Sequence, residues 1–316
     1  MSQGVKPTDF GRVAVLSGGW SAERAVSLRS GKAVLHGLRQ RGIDAHPVLV
    51  AETPDTGSRL LRDLTAGAFD RAFIVLHGRG GEDGTIQAGL ELIGIPYTGS
   101  RVLASALAMD KVRTKLVWHG AGLQTPAFRV VDCVEALQSA VAELGLPVGV
   151  KPPCDGSSLG MTRVDSIEQL PAAWDLARRF DARVLVEAWV TGVEYTVSIL
   201  DGEVLPPLRL ETPRVFYDYE AKYHAGTTQY LHPCGLDADA LAELERITLR
   251  AFDLVGARCW GRVDLMRDHA GRFQLLEVNT VPGMTEQSLV PKSAAAAGLN
   301  FGELVWRILC SSLESG

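Results

Sequence analysis

The residues best suited to chemistry are concentrated toward the end of the chain. Cys259-Trp260-Gly261-Arg262-Val263-Asp264-Leu265 and Phe273-Gln274-Leu275-Leu276-Glu277-Val278-Asn279 flank a turn-like stretch, Asp268-His269-Ala270-Gly271. This reads as two strands joined by a tight turn. Pairing Arg267 with Arg272 sets position 264 opposite 275, 262 opposite 277 and 260 opposite 279. Directly opposed residues share a face and side chains alternate with period two. Arg262, Asp264, Glu277 and Asn279 are therefore expected on one side, with Leu265, Leu276 and Val278 on the buried side. Two carboxylates and an amide oxygen, with no His or Cys beside them, make a hard-oxygen set suited to Mg²⁺ or Mn²⁺. The competing reading is an Arg262–Glu277 salt bridge on a solvated face, for which Asn279 would be a poor choice.

A second stretch pairs glycines with a lysine. Gly156-Ser157-Ser158-Leu159-Gly160 follows Lys151 and precedes the strand-like Met161-Thr162-Arg163-Val164. It fits the G-x-S-x-G nucleophile elbow, but that motif needs a helix after the turn. A loop between two strands instead offers N–H and hydroxyl donors next to a lysine, the equipment of a polyphosphate cover. A plain hairpin tip remains the alternative. Further candidates are scattered along the chain. Glu23, after Gly18-Gly19, could satisfy a helix dipole or hold an ammonium group. Ser288 could cap a helix or help to bind a carboxylate. Thr280-Val281-Pro282-Gly283-Met284-Thr285 could turn backbone N–H groups toward an anion. Phe216-Tyr217-Asp218-Tyr219-Glu220-Ala221-Lys222-Tyr223 reads as an active-site lid or as an edge strand of mixed faces.

The elements that must carry these residues fall into two textures. Over roughly the first hundred residues strands alternate with helices: strands at 13–16, 43–50 and 72–76, and helices at 58–66, at 86–93 and along a stripe of Leu28, Leu35 and Leu38. That alternation predicts a parallel α/β sheet, with ligands at the carboxyl ends of its strands, here Ser17-Gly18-Gly19 and His77-Gly78-Arg79-Gly80-Gly81. Beyond about residue 105, strands at 147–151, 161–164, 184–189 and 193–199, with one helix near 166–179, predict an antiparallel α+β unit. A third segment adds a helix at 238–255, the two strands above and two terminal helices.

Composition excludes several classes. The 316 residues are 46% apolar and 22% charged, which rules out disordered and fibrous chains. Thirty-two basic against 37 acidic residues leave a net charge of −5 without a basic block, which argues against nucleic acid as a partner. The five cysteines contain no C-x-x-C pair, so neither a disulfide framework nor a zinc site is expected. There is no signal-peptide pattern and no apolar run near the roughly 18 residues a membrane span needs, so the expectation is a soluble, cytoplasmic protein without membrane partners.

Taken in order, several stretches resemble the D-alanine–D-alanine ligase family of ATP-grasp enzymes over nearly the whole chain. They are Gly18-Gly19 with Ser21-Ala22-Glu23-Arg24, His77-Gly78-Arg79-Gly80-Gly81-Glu82-Asp83-Gly84, Met109-Asp110-Lys111, Gly156-Ser157-Ser158, Tyr217–Tyr223, Gly261–Asp264, and Glu277-Val278-Asn279-Thr280 with Pro282-Gly283-Met284-Thr285. The resemblance implies a three-domain ATP-grasp ligase: an N-terminal α/β domain (1–105), a central domain (106–187) and a C-terminal domain with the lid (188–316). It implies ATP bound by Lys111, Lys151, Gly156, Ser157, Ser158, Met161, Glu187, Trp189, Val190, Glu194, Tyr217, Lys222 and Glu277. Two Mg²⁺ or Mn²⁺ ions would sit on Asp264, Glu277 and Asn279. Glu23 would hold the first D-alanine, with His77 nearby, and would bond with Ser157 and Tyr223 to keep the lid shut. Arg262 and the Gly283 N–H would stabilise the oxyanion, and Ser288 and Leu289 would take the second substrate. The implied activity is ATP-dependent joining of two D-alanines through a D-alanyl phosphate, for peptidoglycan precursors, in a homodimer. D-serine or D-lactate ligation, or a non-catalytic ATP-binding role, are the alternatives. Tyr223 argues against the lactate version. Trp20, Cys154-Asp155 and Val281 depart from the pattern expected of the family.

Overall fold

The computed structural model describes residues 4–53, 57–154, 156, 158–213 and 228–313. The N-terminal part is a parallel three-stranded sheet of order β2-β1-β3, formed by β1 (Arg12–Gly18), β2 (Asp44–Val50) and β3 (Arg71–Ile74). The connecting helices are α1 (Arg24–Gln40) and α2 (Gly57–Ala66), followed by α3 (Thr85–Leu92). The expected α/β alternation is present, and of the expected stripe on α1 Leu38 is buried and Leu35 packs against the core, but Leu28 does not join them. Leu28 is 38% exposed, and the buried face carries Val26, Ser27, Ser30, Gly31, Val34, Gly37 and Leu38. Small residues let this helix lie close to its neighbours: a Cβ on Gly31 would strike Ser17, and one on Gly37 would come within 3.1 Å of Phe301 and Val305.

The stretch after residue 100 holds more helix than the sequence reading expected. α4 (Val102–Met109), α5 (Lys111–Gly120) and α6 (Val134–Leu144) all precede α7 (Leu170–Arg178). α4 and α5 are nearly continuous and weakly amphipathic, so periodicity does not mark them. Asp110 separates the two, and its side chain accepts the Arg113 N–H at 3.0 Å as the N-cap of α5. A four-stranded antiparallel sheet of order β4-β7-β5-β6 comprises β4 (Phe128–Val131), β5 (Val148–Lys151), β6 (Thr162–Val164) and β7 (Val184–Ala188). The strand β6 after Gly160 removes the helix that a nucleophile elbow requires.

The third sheet is six-stranded and antiparallel, with order β11-β10-β8-β12-β13 and β9 paired to β8. Its strands are β8 (Gly192–Leu200), β9 (Glu203–Val204), β10 (Leu208–Glu211), β11 (Gln229–Leu231), β12 (Trp260–Asp268) and β13 (Phe273–Asn279). Helix α8 (Ala238–Leu254) buries Leu244, Ile247 and Ala251 against its back. The last helices, α9 (Leu289–Ala296) and α10 (Phe301–Cys310), return to the first sheet, where Val290, Leu304, Val305 and Ile308 join Val15, Val34 and Ile74 in one core. No helix among the described residues is long and apolar enough to cross a membrane.

Candidate active site

Two cavities lie side by side. One, about 590 Å³, is lined by Lys111, Lys151, Ser158, Met161, Glu187, Trp189, Val190, Glu194 and Asp264, and also by Leu276, Glu277 and Leu289. The other, about 600 Å³, is lined by Glu23, His77, Glu82, Arg262, Glu277, Asn279, Gly283, Ser288 and Leu289. Glu277 and Leu289 border both, so the two spaces meet at the polar face of the β12–β13 pair. Every residue expected to contact a nucleotide borders the first cavity, apart from Gly156, which packs against Glu23, and Ser157, Tyr217 and Lys222. Those three, with Tyr223 and the rest of the 216–223 stretch, lie outside the described residues.

The strand pair differs from expectation in register. Asp264 stands opposite Glu277 and Arg262 opposite Asn279, whereas Leu265 pairs with Leu275 and Arg267 with Phe273. A bulge leaves Leu276 as the extra residue. Such an insertion shifts the alternation beyond it. The expected face survives, because Arg262, Asp264, Glu277 and Asn279 still cluster. Leu276 is the casualty: expected in the core, it borders the first cavity instead.

The cluster is tightly wired. Arg262 grips Asp264 with two parallel bonds, Nε to Oδ1 at 2.8 Å and Nη2 to Oδ2 at 2.6 Å. Thr196 Oγ1 donates to Asp264 Oδ1 at 2.6 Å, and Asn279 Nδ2 donates to Oδ2 at 3.1 Å. Glu277 is ion-paired with Lys111 at 3.1 Å. Among the described residues no group of three or more His, Cys, Asp or Glu side chains is placed to hold a metal. The set here is two opposed carboxylates and an amide oxygen, each carboxylate now neutralised by its own basic group. That donor chemistry fits a hard divalent cation.

A buried carboxylate holds two lysines near the first cavity. Glu187 accepts a hydrogen bond from Lys151 Nζ and is ion-paired with Lys115 at 3.1 Å. Lys115 is 0% exposed and donates to Thr125 Oγ1 at 2.5 Å. Burial alone would raise the Glu187 carboxyl, but the charges of Lys115 and Lys151 outweigh it and hold it at about 2. Burial pushes Lys115 down to about 8, with Glu187 opposing. Lys115 was missed in the sequence reading, though its spacing of four from Lys111 puts both on one helix face. Arg163 lies over the Trp189 ring, 5.2 Å from its centre.

The second cavity draws on three loops. Glu23 is at the N-cap position of α1, yet its side chain makes no capping bond. Its carboxylate is turned away, toward Gly78 and Gly156: a Cβ on either would come within 2.9 Å or 2.5 Å of Glu23 Oε2. Ser21 Oγ donates to His77 O at 2.6 Å and ties the first two loops together. Glu82, also missed, accepts from Gly78 N at 2.7 Å and from Val281 N at 3.1 Å. Burial, with the Glu23 carboxylate beside it, pushes Glu82 up to about 8. Ser288 occupies the N-cap position of α9 without capping it, and its Oγ accepts from Thr285 N at 3.0 Å beside Gly283. Trp20 lies against Gly80, where a Cβ would strike its ring, and packs on the first core. Burial raises the Cys154 thiol to about 11, so it is not a reactive thiolate.

Gly156 offers a test of this packing, because a Cβ there would come within 2.5 Å of Glu23 Oε2. Gly156→Ala should displace the Glu23 carboxylate from its place against this loop, while the melting temperature stays within about 2 °C. A crystal structure of the variant, together with a melting curve, checks both.

The N-terminal residues 53–100 match the family model described as D-ala D-ala ligase N-terminus, and 117–310 match D-ala D-ala ligase C-terminus. The chain belongs to the D-alanine–D-alanine ligase family. A relative named D-alanine–D-alanine ligase from Ectopseudomonas mendocina is 57% identical over 98% of this chain and 97% of its own length. Another so named, from Stutzerimonas stutzeri, is 56% identical over 98% and 97%. Among solved structures, the D-alanine–D-alanine ligase from Bacillus anthracis complexed with ATP superposes with a TM-score of 0.82 at 32% identity, covering 96% of this chain and 97% of that one. The VanG D-Ala:D-Ser ligase from Enterococcus faecalis gives 0.81 at 29% identity, covering 95% and 99%. The architecture is therefore that of the family's ATP-grasp ligases.

Proposed function

We propose that this chain joins two D-alanines to D-alanyl-D-alanine at the expense of ATP, through a D-alanyl phosphate, for peptidoglycan synthesis. The observation that carries this reading is the meeting of two cavities of about 590 and 600 Å³ at Glu277 and Leu289, the first with Lys111 and Lys151 in its wall and the second with Glu23 and Ser288, beside the Arg262–Asp264 fork.

In this reading the adenine lies among Met161, Trp189, Val190 and Glu194, and Lys111 and Lys151 meet the phosphates under Gly156, Ser157 and Ser158. Glu187 joins Trp189 and Glu194 at the adenine and ribose and also holds Lys151 Nζ in place. Glu23 takes the ammonium of the first D-alanine, near His77, leaving its carboxylate toward the seam. A carboxylate oxygen attacks the γ-phosphorus of ATP in line, and ADP departs. The amine of the second D-alanine, whose carboxylate rests at Ser288 and Leu289, attacks the carbonyl carbon. Arg262 and the Gly283 N–H stabilise the oxyanion. The C–O bond then breaks, phosphate leaves with that oxygen, and the amine gives up its proton. By the family resemblance, Lys222, Tyr217 and Tyr223 would help to keep water from the acyl phosphate. Asp264, Glu277 and Asn279 would hold two Mg²⁺ or Mn²⁺ ions, which supply charge neutralisation at the phosphates when bound. The protein is placed in the cytoplasm, where ATP is available, as a homodimer. Its three domains are taken as 1–105, 106–187 and 188–316.

The test is product analysis by mass spectrometry with Mg-ATP and D-alanine, L-alanine, or D-alanine plus D-serine or D-lactate. The expected product is D-alanyl-D-alanine with stoichiometric ADP. A mixed product in preference to the homodipeptide would reassign the second-substrate selectivity, and ATP binding without any product would reject the ligase reading.

A further inference from the structure

We propose that Ser30 is a positioning residue for the ligation, setting the loop that carries Gly283 through a hydrogen-bond relay that includes His77. This rests on the ligase reading above. Ser30 lies on α1, is 0% exposed, and lies 254 residues from the loop it touches. A serine inside a helix usually bonds back to the carbonyl four residues earlier or faces solvent. This one does neither: its Oγ accepts the Met284 N–H at 3.1 Å and contacts His77 Nε2 at 3.2 Å.

The direction of each bond follows from its partners. His77 Nδ1 lies 2.8 Å from Val281 O, and a carbonyl can only accept, so Nδ1 carries the proton. Burial lowers His77 below the ordinary imidazole range, with Glu23 and the Val281 carbonyl opposing and Arg262 assisting, so the ring is neutral at neutral pH. Nε2 is then an acceptor, and the Ser30 hydroxyl proton must point at it. The chain of donors runs from Met284 N–H to Ser30, from Ser30 to His77, and from His77 to Val281 O. Val281 N–H continues it to Glu82, whose other oxygen is held by Gly78 N–H. Both ends of the segment 281–284 are thus fastened to the N-terminal part, Val281 to the 77–82 loop and Met284 to α1, with Gly283 between them. The hydroxyl is the one group in the relay that both accepts from the loop and donates to the ring. A methyl group at that place leaves the Met284 N–H and His77 Nε2 buried and unpaired together.

The proposal separates from simple packing by which step it affects. In Ser30→Ala, kcat/KM for the second D-alanine should fall about ten- to a hundredfold, the size of leaving buried polar groups unpaired. KM for ATP should stay within about twofold, because Lys111, Lys151 and Glu187 are outside the relay. The ¹⁵N spectrum of His77, assigned by comparison with His77→Gln, gives a readout that needs no turnover. The wild type should show a protonated Nδ1 and an unprotonated, hydrogen-bonded Nε2, and Ser30→Ala should shift the Nε2 signal toward that of a bond-free ring nitrogen. A wild-type ring protonated at Nε2 would overturn the proposal even if the variant cannot be prepared. So would a folded Ser30→Ala protein with unchanged second-site kinetics and an unchanged Nε2 signal. Absence of dipeptide synthesis in the wild type would count against the ligase reading alone, since the ring measurement stands without it.

Discussion

Arg262→Ala should lower kcat about 100- to 1,000-fold while leaving ATP affinity within a few-fold of the wild type. The size is that of removing one preorganised donor from a developing oxyanion. The specificity for kcat follows from geometry. Arg262 borders the second cavity, proposed for the amino acids, whereas its partner Asp264 borders the first, proposed for ATP. Removing the guanidinium still leaves Asp264 with Thr196 and Asn279. Arg262→Lys should recover little, because one ammonium cannot reproduce two parallel bonds to Asp264 and present a further donor to the substrate. Steady-state rates beside direct ATP titration check the split. An equal loss in ATP affinity and kcat would show that Arg262 serves nucleotide binding instead.

The second large effect is on stability. Glu187→Gln leaves two lysines facing each other inside the protein, one of them with no exposed surface. Breaking a buried pair from one side typically costs about 3–5 kcal/mol, which for a chain of this size lowers the melting temperature by about 5–10 °C. KM for ATP should rise at least about tenfold, since Lys151 loses the carboxylate that aims it. The pH dependence has a definite sign. The folded carboxyl, held at about 2, lies below its unfolded value of 4.5. Its contribution is therefore fully present above pH 4.5 and disappears as pH falls through 2. The gap between wild type and Glu187→Gln should be widest at neutral pH and should narrow over that acidic window, as followed by denaturant melts at several pH values. A gap that widens toward acid would contradict the pairing.

The parts of the site legible in the sequence were those set by local periodicity. Period-two alternation was enough to gather Arg262, Asp264, Glu277 and Asn279 on one face before any coordinates. It did not give the register, because the consecutive Leu275-Leu276 that breaks the alternation is itself the mark of the bulge. Glu187 borders the first cavity, as expected of it, but its hold on two lysines was not legible, because that depends on α5 packing against a sheet far along the chain. Glu82 showed only as part of the 77–84 stretch, with no role attached, and Ser30 was not legible at all. A serine on a helix face looks like a small packing residue, and its partners at 77 and 284 become neighbours only when the last two helices close on the first sheet. The α1 stripe was misread at Leu28 for a related reason. Glycine and serine supply the buried face because close approach, rather than apolar bulk, is what that interface requires.

The central claim, that the first D-alanine is activated as an acyl phosphate, is tested most directly by isotope transfer. D-alanine labelled with ¹⁸O in its carboxylate is incubated with Mg-ATP and the purified protein, and the released phosphate is examined by mass spectrometry. Passage through D-alanyl phosphate requires one carboxylate oxygen to leave with each phosphate as the dipeptide forms. Dipeptide formation with unlabelled phosphate would contradict the mechanism, since ATP cleavage would then have bypassed the carboxylate.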